Sequence, residues 1–205
     1  MLWYFRQYPL GGFIKLISNL IRTRFFYPGA KIIRFPIDIR GVKHIKYGAG
    51  FTTGTGCRIE AYPVDNKSAT IVIGDNVQIN DYVHITGIKM VNIGNNVLIA
   101  SKVYISDSSH GSYSGDINDS SPLIIPKDRE LFYKEVYIEN NVWIGESVTI
   151  LPGVTVGEGS IIGANSVVTK SVPKNMIVVG NPARAIKKFD FDIDRWKTIK
   201  TKNEA

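Results

Sequence analysis

IENNVWIGESVTILPGVTVGEGSIIGANSVVTKSV, residues 138–172, is the stretch that decides the fold of this chain. Aliphatic residues recur at every sixth position, and a valine or serine follows each of them at plus four. A period of six matches neither a helix nor a hairpin strand, and over this length it is typical of a parallel β-helix. Each unit supplies a short strand and a corner, and only stacked coils bury the aliphatic row. That row is Ile138, Ile144, Ile150, Val156, Ile162 and Val168.

The same period continues towards the N-terminus with three interruptions. Each interruption follows three units, which is one full coil of a three-sided prism. The interruptions add ten, two and 27 residues to the regular spacing. We therefore expect all three insertions to leave the prism at the same corner. The interrupted rows are Ile45, Phe51 and Cys57, then Ile73, Ile79 and Ile85, then Ile93, Ile99 and Ile105.

The longest insertion, residues 106–135, is the first candidate for a functional segment. Its first half is rich in Ser, Asp and Gly and contains His110, whereas the other two histidines, His44 and His84, lie outside it. Long loops in compact domains are usually functional or disordered. An imidazole with a pKa near 6.5 is suited to removing a proton from a hydroxyl group at neutral pH. We predict that His110 is a general base, although an exposed loop histidine without a role would give the same pattern.

Composition places the chain among single-domain proteins and divides its charge unevenly. Of 205 residues, positions 1–46 carry nine basic groups and one acid, a balance of +8 that leaves −1 for the rest. No nucleic-acid-binding motif accompanies this charge, so we expect no nucleic-acid partner. The single cysteine, Cys57, falls on the inward row and should be a core residue. The absence of a disulfide, a signal sequence and a long apolar run favours the cytoplasm.

Two terminal segments flank the expected β-helix of residues 45–188. In the basic, aromatic arm of residues 1–44, a turn at 9–12 precedes a predicted amphipathic helix over 13–26. Its apolar face could plug the open end of the β-helix. Alternatively, it could rest on an anionic membrane surface. The final segment, residues 189–205, is predicted to be a polar helix or tail.

Several side chains are candidates for binding a polyanionic ligand near the last coil. Lys170, Arg184 and Lys187 could contact phosphates, although exposed lysines are common on any surface. Trp143 should point outward, where it would either pack at a subunit interface or wall a cofactor cleft. His84 should also point outward, as a surface or subunit-contact residue.

The hexads, His110 and the run VGNPAR at 179–184 together resemble the hexapeptide-repeat acyltransferases, in the branch with galactoside, maltose and serine acetyltransferases. The resemblance covers about residues 45–188. It implies an all-β fold, a left-handed parallel β-helix, with acetyl-coenzyme A as co-substrate. It further implies a homotrimer with active sites between neighbouring subunits.

The resemblance also assigns residues. NNVWIG at 140–145 and GANSVVTK at 163–170 look like strands that bind coenzyme A. Asn80 lies thirty residues before His110, the spacing of an asparagine and the catalytic histidine in galactoside acetyltransferases. Asn80 would then orient the acceptor or the histidine. The residues implied to contact acetyl-coenzyme A are Ala100, Trp143, Ala164, Thr169, Lys170, Arg184 and Lys187.

One departure from the family concerns the acceptor. Galactoside enzymes carry an acidic sugar-binding pair where this chain has Gly87 and Ile88. The sequence around Asn80 and His110 looks closest to that of bacterial enzymes that O-acetylate lipopolysaccharide O-antigen or exopolysaccharide. The resemblance therefore implies acetyl transfer to a hydroxyl of a sugar or lipid-linked saccharide, with no metal. The basic arm would suit peripheral contact with the inner face of the membrane.

Three other functions stay open on the sequence. The same scaffold could N-acetylate a nucleotide-linked amino sugar. A metal-binding β-helix resembling γ-class carbonic anhydrases would need clustered histidines, which the wide spacing of His44, His84 and His110 does not favour. A non-catalytic scaffold would leave His110 and Asn80 without a role.

Overall fold

The computed structural model of the chain describes residues 9–64 and 70–199. This part of the chain contains one α-helix, α1 (Leu10–Phe26), and short 3-10 helices at Val42–His44 and Pro126–Asp128. Everything else regular in it is β-strand. The strands are β1 Ile37–Arg40, β2 Ile45–Tyr47, β3 Thr52–Thr53, β4 Cys57–Ala61, β5 Ile71–Ile73, β6 Gln78–Ile79, β7 His84–Gly87, β8 Val91–Ile93, β9 Leu98–Ile99, β10 Tyr104–Ser106, β11 Ser108–His110, β12 Leu131–Tyr133, β13 Val136–Ile138, β14 Trp143–Ile144, β15 Thr149–Ile150, β16 Thr155–Val156, β17 Ile161–Ile162, β18 Val167–Val168, β19 Met176–Gly180, β20 Ala183–Asp190 and β21 Arg195–Thr198.

Successive strands lie on three parallel sheets that form the faces of a prism. Face A stacks β3, β6, β9, β14, β17 and β19; face B stacks β1, β4, β7, β10, β15 and β18; face C stacks β2, β5, β8, β13 and β16. Because the chain visits A, B and C in turn, residues of equal position in each coil lie above one another. The predicted parallel β-helix is confirmed.

The core is the aliphatic row that the hexads predicted. Ile79, Ile99, Ile144 and Ile162 pair in register across face A, and each is at most 1% exposed. Burying one such side chain contributes about 1.5–3 kcal/mol. The stacked coils therefore stabilise one another, while an isolated coil would have no buried interior.

The first coil has a different register from the one predicted. Tyr47, Thr53 and Ile59 pair with Ile73, Ile79 and Ile85, so the prediction of Ile45, Phe51 and Cys57 is wrong by two residues. Each unit has two inward positions, and apart from Thr53 both are filled here by residues with largely apolar side chains. The predicted residues fill the second one, and Cys57 is buried as expected. The first insertion accordingly adds eight residues, not ten.

All three insertions leave the prism at one corner, as predicted. They connect β4 to β5, β7 to β8 and β10 to β13, so each lies between face B and face C. We call this edge the insertion corner. The corner between face A and face B, where β6 leads to β7 and β9 leads to β10, carries no insertion. We call it the cleft corner.

The predicted helix of the N-terminal arm is confirmed, but its orientation differs from the plug that was considered. The helix begins at Leu10, so the turn predicted at 9–12 is wrong; Pro9 precedes the first turn, where its missing N–H costs nothing. The buried side chains are Asn19 and Thr23, and most of the apolar ones face outward. Within the described residues, no helix is long and apolar enough to cross a membrane.

Polar side chains of α1 bind the backbone of the segment that precedes the first coil. The backbone N–H of Ile33 donates to Thr23 Oγ1 at 2.8 Å, and that of Phe35 donates to Asn19 Oδ1 at 3.3 Å. Unpaired edge groups would otherwise be a template for another strand. The helix thus closes this end of the prism with hydrogen bonds.

The C-terminal segment is a hairpin, so the predicted polar helix or tail over 189–205 is wrong for its described part. β20 pairs antiparallel with β19 and with β21. Phe189 contacts Phe191 and Trp196, with ring centroids 4.9 and 5.2 Å apart. At the other end, β1 pairs with β4 and extends face B ahead of residue 45.

Candidate functional site

A cleft of about 400 Å³ lies between α1 and the cleft corner. It contains the predicted site residue Asn80 and Ser101, the neighbour of the predicted Ala100. Its wall is mostly polar, which suits a ligand with several hydroxyl groups. The lining residues are Gly12, Lys15, Leu16, Asn19, Arg34, Gly54, Thr55, Gln78, Asn80, Asp81 and Ser101.

Asn80 is held in place on every side. Its backbone N–H donates to Ile99 O at 2.9 Å, and its carbonyl accepts a hydrogen bond from Cys57 Sγ at 3.0 Å. Gln78 Nε2 donates to Asn80 Oδ1 at 3.0 Å. With that oxygen engaged, the side-chain N–H groups are the donors that remain for a ligand.

The charged side chains of the cleft favour a ligand with negative charge. Lys15 and Arg34 supply two cations against one carboxylate, Asp81. Asp81 Oδ1 already accepts a hydrogen bond from the backbone N–H of Thr55 at 2.7 Å. Arg34 is positioned by Nη1, which donates to Thr53 O at 3.1 Å. The cleft thus has one positive charge in excess.

The cleft corner continues upward into part of the predicted coenzyme site. Ala100 lies directly above Asn80 in the ladder, and its N–H donates to Ile144 O at 2.9 Å. Gly145 follows in the next coil, where a Cβ atom would lie 2.7 Å from the backbone N of Ala164. Only glycine permits that approach, so Ala164 lies close against this corner.

Face A brings three further predicted residues to the same side. Trp143 is outward, as predicted, and 49% exposed. The register Trp143, Ile161, Ile177 and Lys187 forms one row across the sheet. Arg184 lies on the same strand, β20, as Lys187. An aromatic surface and two cations therefore share face A.

Thr169 and Lys170 lie elsewhere. Both follow β18 at the insertion corner, and both are exposed. Face B separates them from Ala100, Ala164 and Trp143 in the same chain.

His110 also belongs to the insertion corner. It ends β11, which forms an antiparallel hairpin with β12 inside the long insertion. Tyr113 Oη donates to His110 O at 2.6 Å, and Arg129 Nη1 donates to Tyr113 Oη at 2.7 Å. The imidazole is exposed and makes no hydrogen bond to a residue of 9–64 or 70–199. The backbone of His110 is thus fixed while its ring stays available.

Asp107, which the sequence did not single out, anchors the root of this hairpin. The carboxylate is fully buried and accepts hydrogen bonds from the backbone N–H groups of Ile88, Lys89 and Met90 at 2.6–3.0 Å. Burial raises the pKa of Asp107, although these hydrogen bonds oppose that shift. In the sequence, Asp107 is one acid in a polar loop, and only its place directly after β10 could have drawn attention.

A second group that was missed lies on the outer side of face B. Glu60 is only 3% exposed, beneath Arg40, Arg58 and His84. Burial alone would raise the pKa of Glu60, but hydrogen bonds from Arg58, His84 and Tyr62 outweigh it and lower the pKa to about 2. His84 is outward, as predicted, and its Nε2 lies 2.9 Å from Glu60 Oε2.

The metal-binding alternative finds no support in the geometry. No group of three or more His, Cys, Asp or Glu side chains that could hold a metal ion exists within residues 9–64 and 70–199. His84 is paired with Glu60, and His110 lies on the insertion hairpin.

The chain is similar to known transferases in sequence. The family model "Bacterial transferase hexapeptide (six repeats)" matches residues 135–170. An Escherichia coli K12 protein, WbbJ, provisionally named a lipopolysaccharide biosynthesis O-acetyl transferase, is 45% identical over 192 residues, 94% of this chain and 96% of that protein. Galactoside O-acetyltransferase of the same strain is 36% identical over 139 residues, 68% of this chain and 64% of that protein.

Solved structures share the fold. AntD, an N-acyltransferase from Bacillus cereus solved with a dTDP-amino sugar and coenzyme A, superposes with a TM-score of 0.67 at 24% identity over 84% of this chain and 89% of its own. A galactoside acetyltransferase solved with coenzyme A gives a TM-score of 0.51 at 31% identity over 74% of each chain.

Proposed function

Since this chain belongs to the hexapeptide-repeat acyltransferases, we propose that it moves an acetyl group from acetyl-coenzyme A to a sugar hydroxyl in the biosynthesis of O-antigen or another surface polysaccharide. It is an acyl-coenzyme A-dependent transferase, since its relatives are named acetyltransferases and a galactoside acetyltransferase of similar fold was solved with coenzyme A. The choice of a polysaccharide precursor is supported by the relative that matches 94% of the chain. The Gly87 and Ile88 corner supports an acceptor other than a galactoside.

The residues on face A suit coenzyme A. Trp143 offers an exposed aromatic surface, and Arg184 and Lys187 offer positive charge for phosphates. Ala100 and Ala164 are small enough to let an extended ligand approach the backbone. Coenzyme A supplies the acetyl group as an activated thioester, and Thr169 and Lys170 would complete its site from the insertion corner.

His110 is the proposed general base. Its imidazole takes the proton of the sugar hydroxyl as the oxygen attacks the thioester carbonyl carbon. Backbone N–H groups of a coil corner stabilise the oxyanion. The C–S bond then breaks, and the proton held by His110 passes to the departing sulfur. Cys57 takes no part, because it is buried in the core and burial raises the pKa of its thiol.

Asn80 is the proposed positioning residue for the acceptor. Its fixed side chain leaves N–H donors for a sugar oxygen in the cleft. A hydroxyl held there would need a base from outside the cleft, because His110 of the same chain lies at the other corner. Asn80 and His110 share neither a hydrogen bond nor a cavity within the described residues.

This division of the site between two corners is the observation that carries the proposal. In a homotrimer, the insertion corner of one subunit would meet face A and the cleft corner of the next. Each active site would then take His110, Thr169 and Lys170 from one subunit. The neighbouring subunit would supply the cleft with Asn80 and the face with Trp143.

The proposed location is the cytoplasm, at the inner face of the membrane. The excess of basic residues in positions 1–46 is suited to an anionic lipid surface.

A second candidate function is N-acetylation of a nucleotide-linked amino sugar. Lys15 and Arg34 in the cleft favour it, because both could contact the diphosphate of such an acceptor. The chemistry would be the same, with an amine in place of the hydroxyl. The two functions differ in the acceptor that supports turnover.

Calorimetric titration of acetyl-coenzyme A into wild type and His110→Ala, combined with thiol release, tests the proposal. Both proteins should bind acetyl-coenzyme A, and only wild type should release thiol with neutral sugars or glycans. Release with UDP- or dTDP-amino sugars alone would identify the second function. A wild-type protein that binds no acetyl-coenzyme A would contradict the cofactor assignment.

A further inference from the structure

Helix α1 turns its apolar side away from the protein. Leu10, Ile14, Ile17, Ile21 and Phe25 are 41–77% exposed and recur at three- and four-residue spacing, so they form one stripe. Asn19 and Thr23, on the opposite side, are buried against the segment that precedes the first coil. An ordinary surface helix buries the apolar side, and an exposed stripe of this size marks an interaction surface.

The charges beside the stripe indicate what covers it. Arg24 lies next to the stripe, Lys15 faces the cleft, Arg22 lies over the Phe35 ring, and α1 contains no acidic residue. A two-fold contact between two copies of this face would bring like charges together. An anionic bilayer instead offers opposite charge to the flanks and an apolar interior to the stripe.

The same helix forms one wall of the cleft. Gly12, Lys15 and Leu16 line it together with Asn80. A helix that lies in the bilayer interface buries its apolar face about 5–10 Å deep, at the boundary between headgroups and acyl chains. The opening of the cleft would then lie at the level of the lipid headgroups.

We propose that α1 docks the protein on an anionic membrane and that the cleft receives a saccharide linked to a membrane lipid through phosphate. Lys15 and Arg34 contact that phosphate, and Asn80 contacts the sugar. The docking surface stands independently, whereas the acceptor assignment rests on the proposed function.

Sedimentation with vesicles tests the docking surface. Wild type should bind vesicles of equal parts phosphatidylglycerol and phosphatidylcholine, and high salt or pure phosphatidylcholine should weaken binding. Ile14→Glu/Ile21→Glu should bind more than tenfold more weakly, because two apolar contacts are lost and two negative charges gained. Phe191→Glu is the matched control, since Phe191 is 72% exposed on the C-terminal hairpin; this variant should bind like wild type.

Activity on two forms of one acceptor tests its class. The double variant should lose most of its kcat/KM on a vesicle-borne lipid-linked saccharide and keep wild-type thiol release with the soluble sugar. Lys15→Gln should lower kcat/KM for a sugar phosphate more than for the neutral sugar. A nucleotide sugar preferred over the lipid-linked one would overturn the acceptor assignment.

The remaining outcomes separate this inference from the proposed function. If wild type releases thiol with the soluble sugar but does not bind anionic vesicles, docking is refuted and the enzyme assignment stands. If vesicles bind but no sugar supports thiol release, the proposed function fails and docking stands. If Ile14→Glu/Ile21→Glu changes the mass by light scattering at an unchanged thermal midpoint, a second copy covers the stripe, and the membrane assignment is wrong.

Discussion

The cleft corner and the insertion corner are edges of the same prism, but they are built in opposite ways. At the cleft corner every coil turns with the same number of residues, so Asn80, Ala100 and Gly145 stack through backbone hydrogen bonds of 2.8–2.9 Å. At the insertion corner three coils release extra chain, which carries His110. The comparison shows how one scaffold can divide two tasks: the regular corner positions a ligand, and the corner with insertions carries the group proposed to react with it.

The two corners also differ in what fixes them. The cleft corner is held in place by the backbone hydrogen bonds between the strands of face A. At the root of the long insertion, the Asp107 carboxylate binds the backbone of the neighbouring insertion. A loop carried on a scaffold is free to change in length and sequence, and this one is anchored at its root by a buried carboxylate.

Removing the base from the insertion corner should have the largest effect. His110→Ala should lower kcat by about 10²–10⁴-fold, the range for a general base, with little change in the affinity for acetyl-coenzyme A. Steady-state thiol release and calorimetry measure the two quantities. His44→Ala is the control and should keep wild-type kcat; an active His110→Ala would remove the insertion corner from the chemistry.

Changing the cleft corner should lower activity less than removing His110. Mixed trimers of the two variants should recover part of the activity. Asn80→Ala loses a positioning contact, and we expect kcat/KM for the acceptor to fall by about 10–100-fold. Co-refolded with His110→Ala, it should recover about a quarter of wild-type activity, because one site in four takes both intact residues from different subunits. No recovery in mixtures that form trimers would mean that both residues act within one chain.

Destabilising the root of the insertion should affect stability more than the same change at the cleft corner. Asp107→Ala leaves three backbone N–H groups unpaired in a buried site, at a cost of about 2–3 kcal/mol in the free energy of unfolding. Asp81→Ala removes one part-buried hydrogen bond and should cost less than about 1 kcal/mol. Urea denaturation compares them, and hydrogen exchange over 108–133 should rise only in Asp107→Ala. Equal costs would contradict the anchor role.

Face B, which separates the corners, should show the smallest effect, and it should depend on pH. The pKa of Glu60 is lowered to about 2, so its ionised form stabilises the fold above its unfolded pKa. That contribution, about 1 kcal/mol since the paired arginines are half exposed, is lost as the pH falls from about 4.5 towards 2. Glu60→Gln should therefore be less stable than wild type near neutral pH, and the difference should shrink on acidification. A constant difference would mean that packing, not charge, is responsible.

The sequence was sufficient for the prism and for the corner where insertions leave, because hexad spacing determines both. The sequence misplaced the first coil, since each unit has two inward positions and the aliphatic row could be assigned to either of them. It could not orient α1, because amphipathic spacing predicts a stripe but not which side of the helix is packed. The role of Asp107 could not be predicted from the sequence, because the partners of this carboxylate are backbone N–H groups in another insertion.

The pairing of Asn19 and Thr23 with the segment that precedes the first coil also limits how far the prism can extend. Stacked coils are extendable, since each exposes the same hydrogen-bonding edge to the next, and two uncapped ends could join into a fibre. Two short polar side chains occupy that edge with groups that offer no further strand. The helix therefore blocks the addition of a further strand at this edge, which opposes end-to-end association of a repetitive fold.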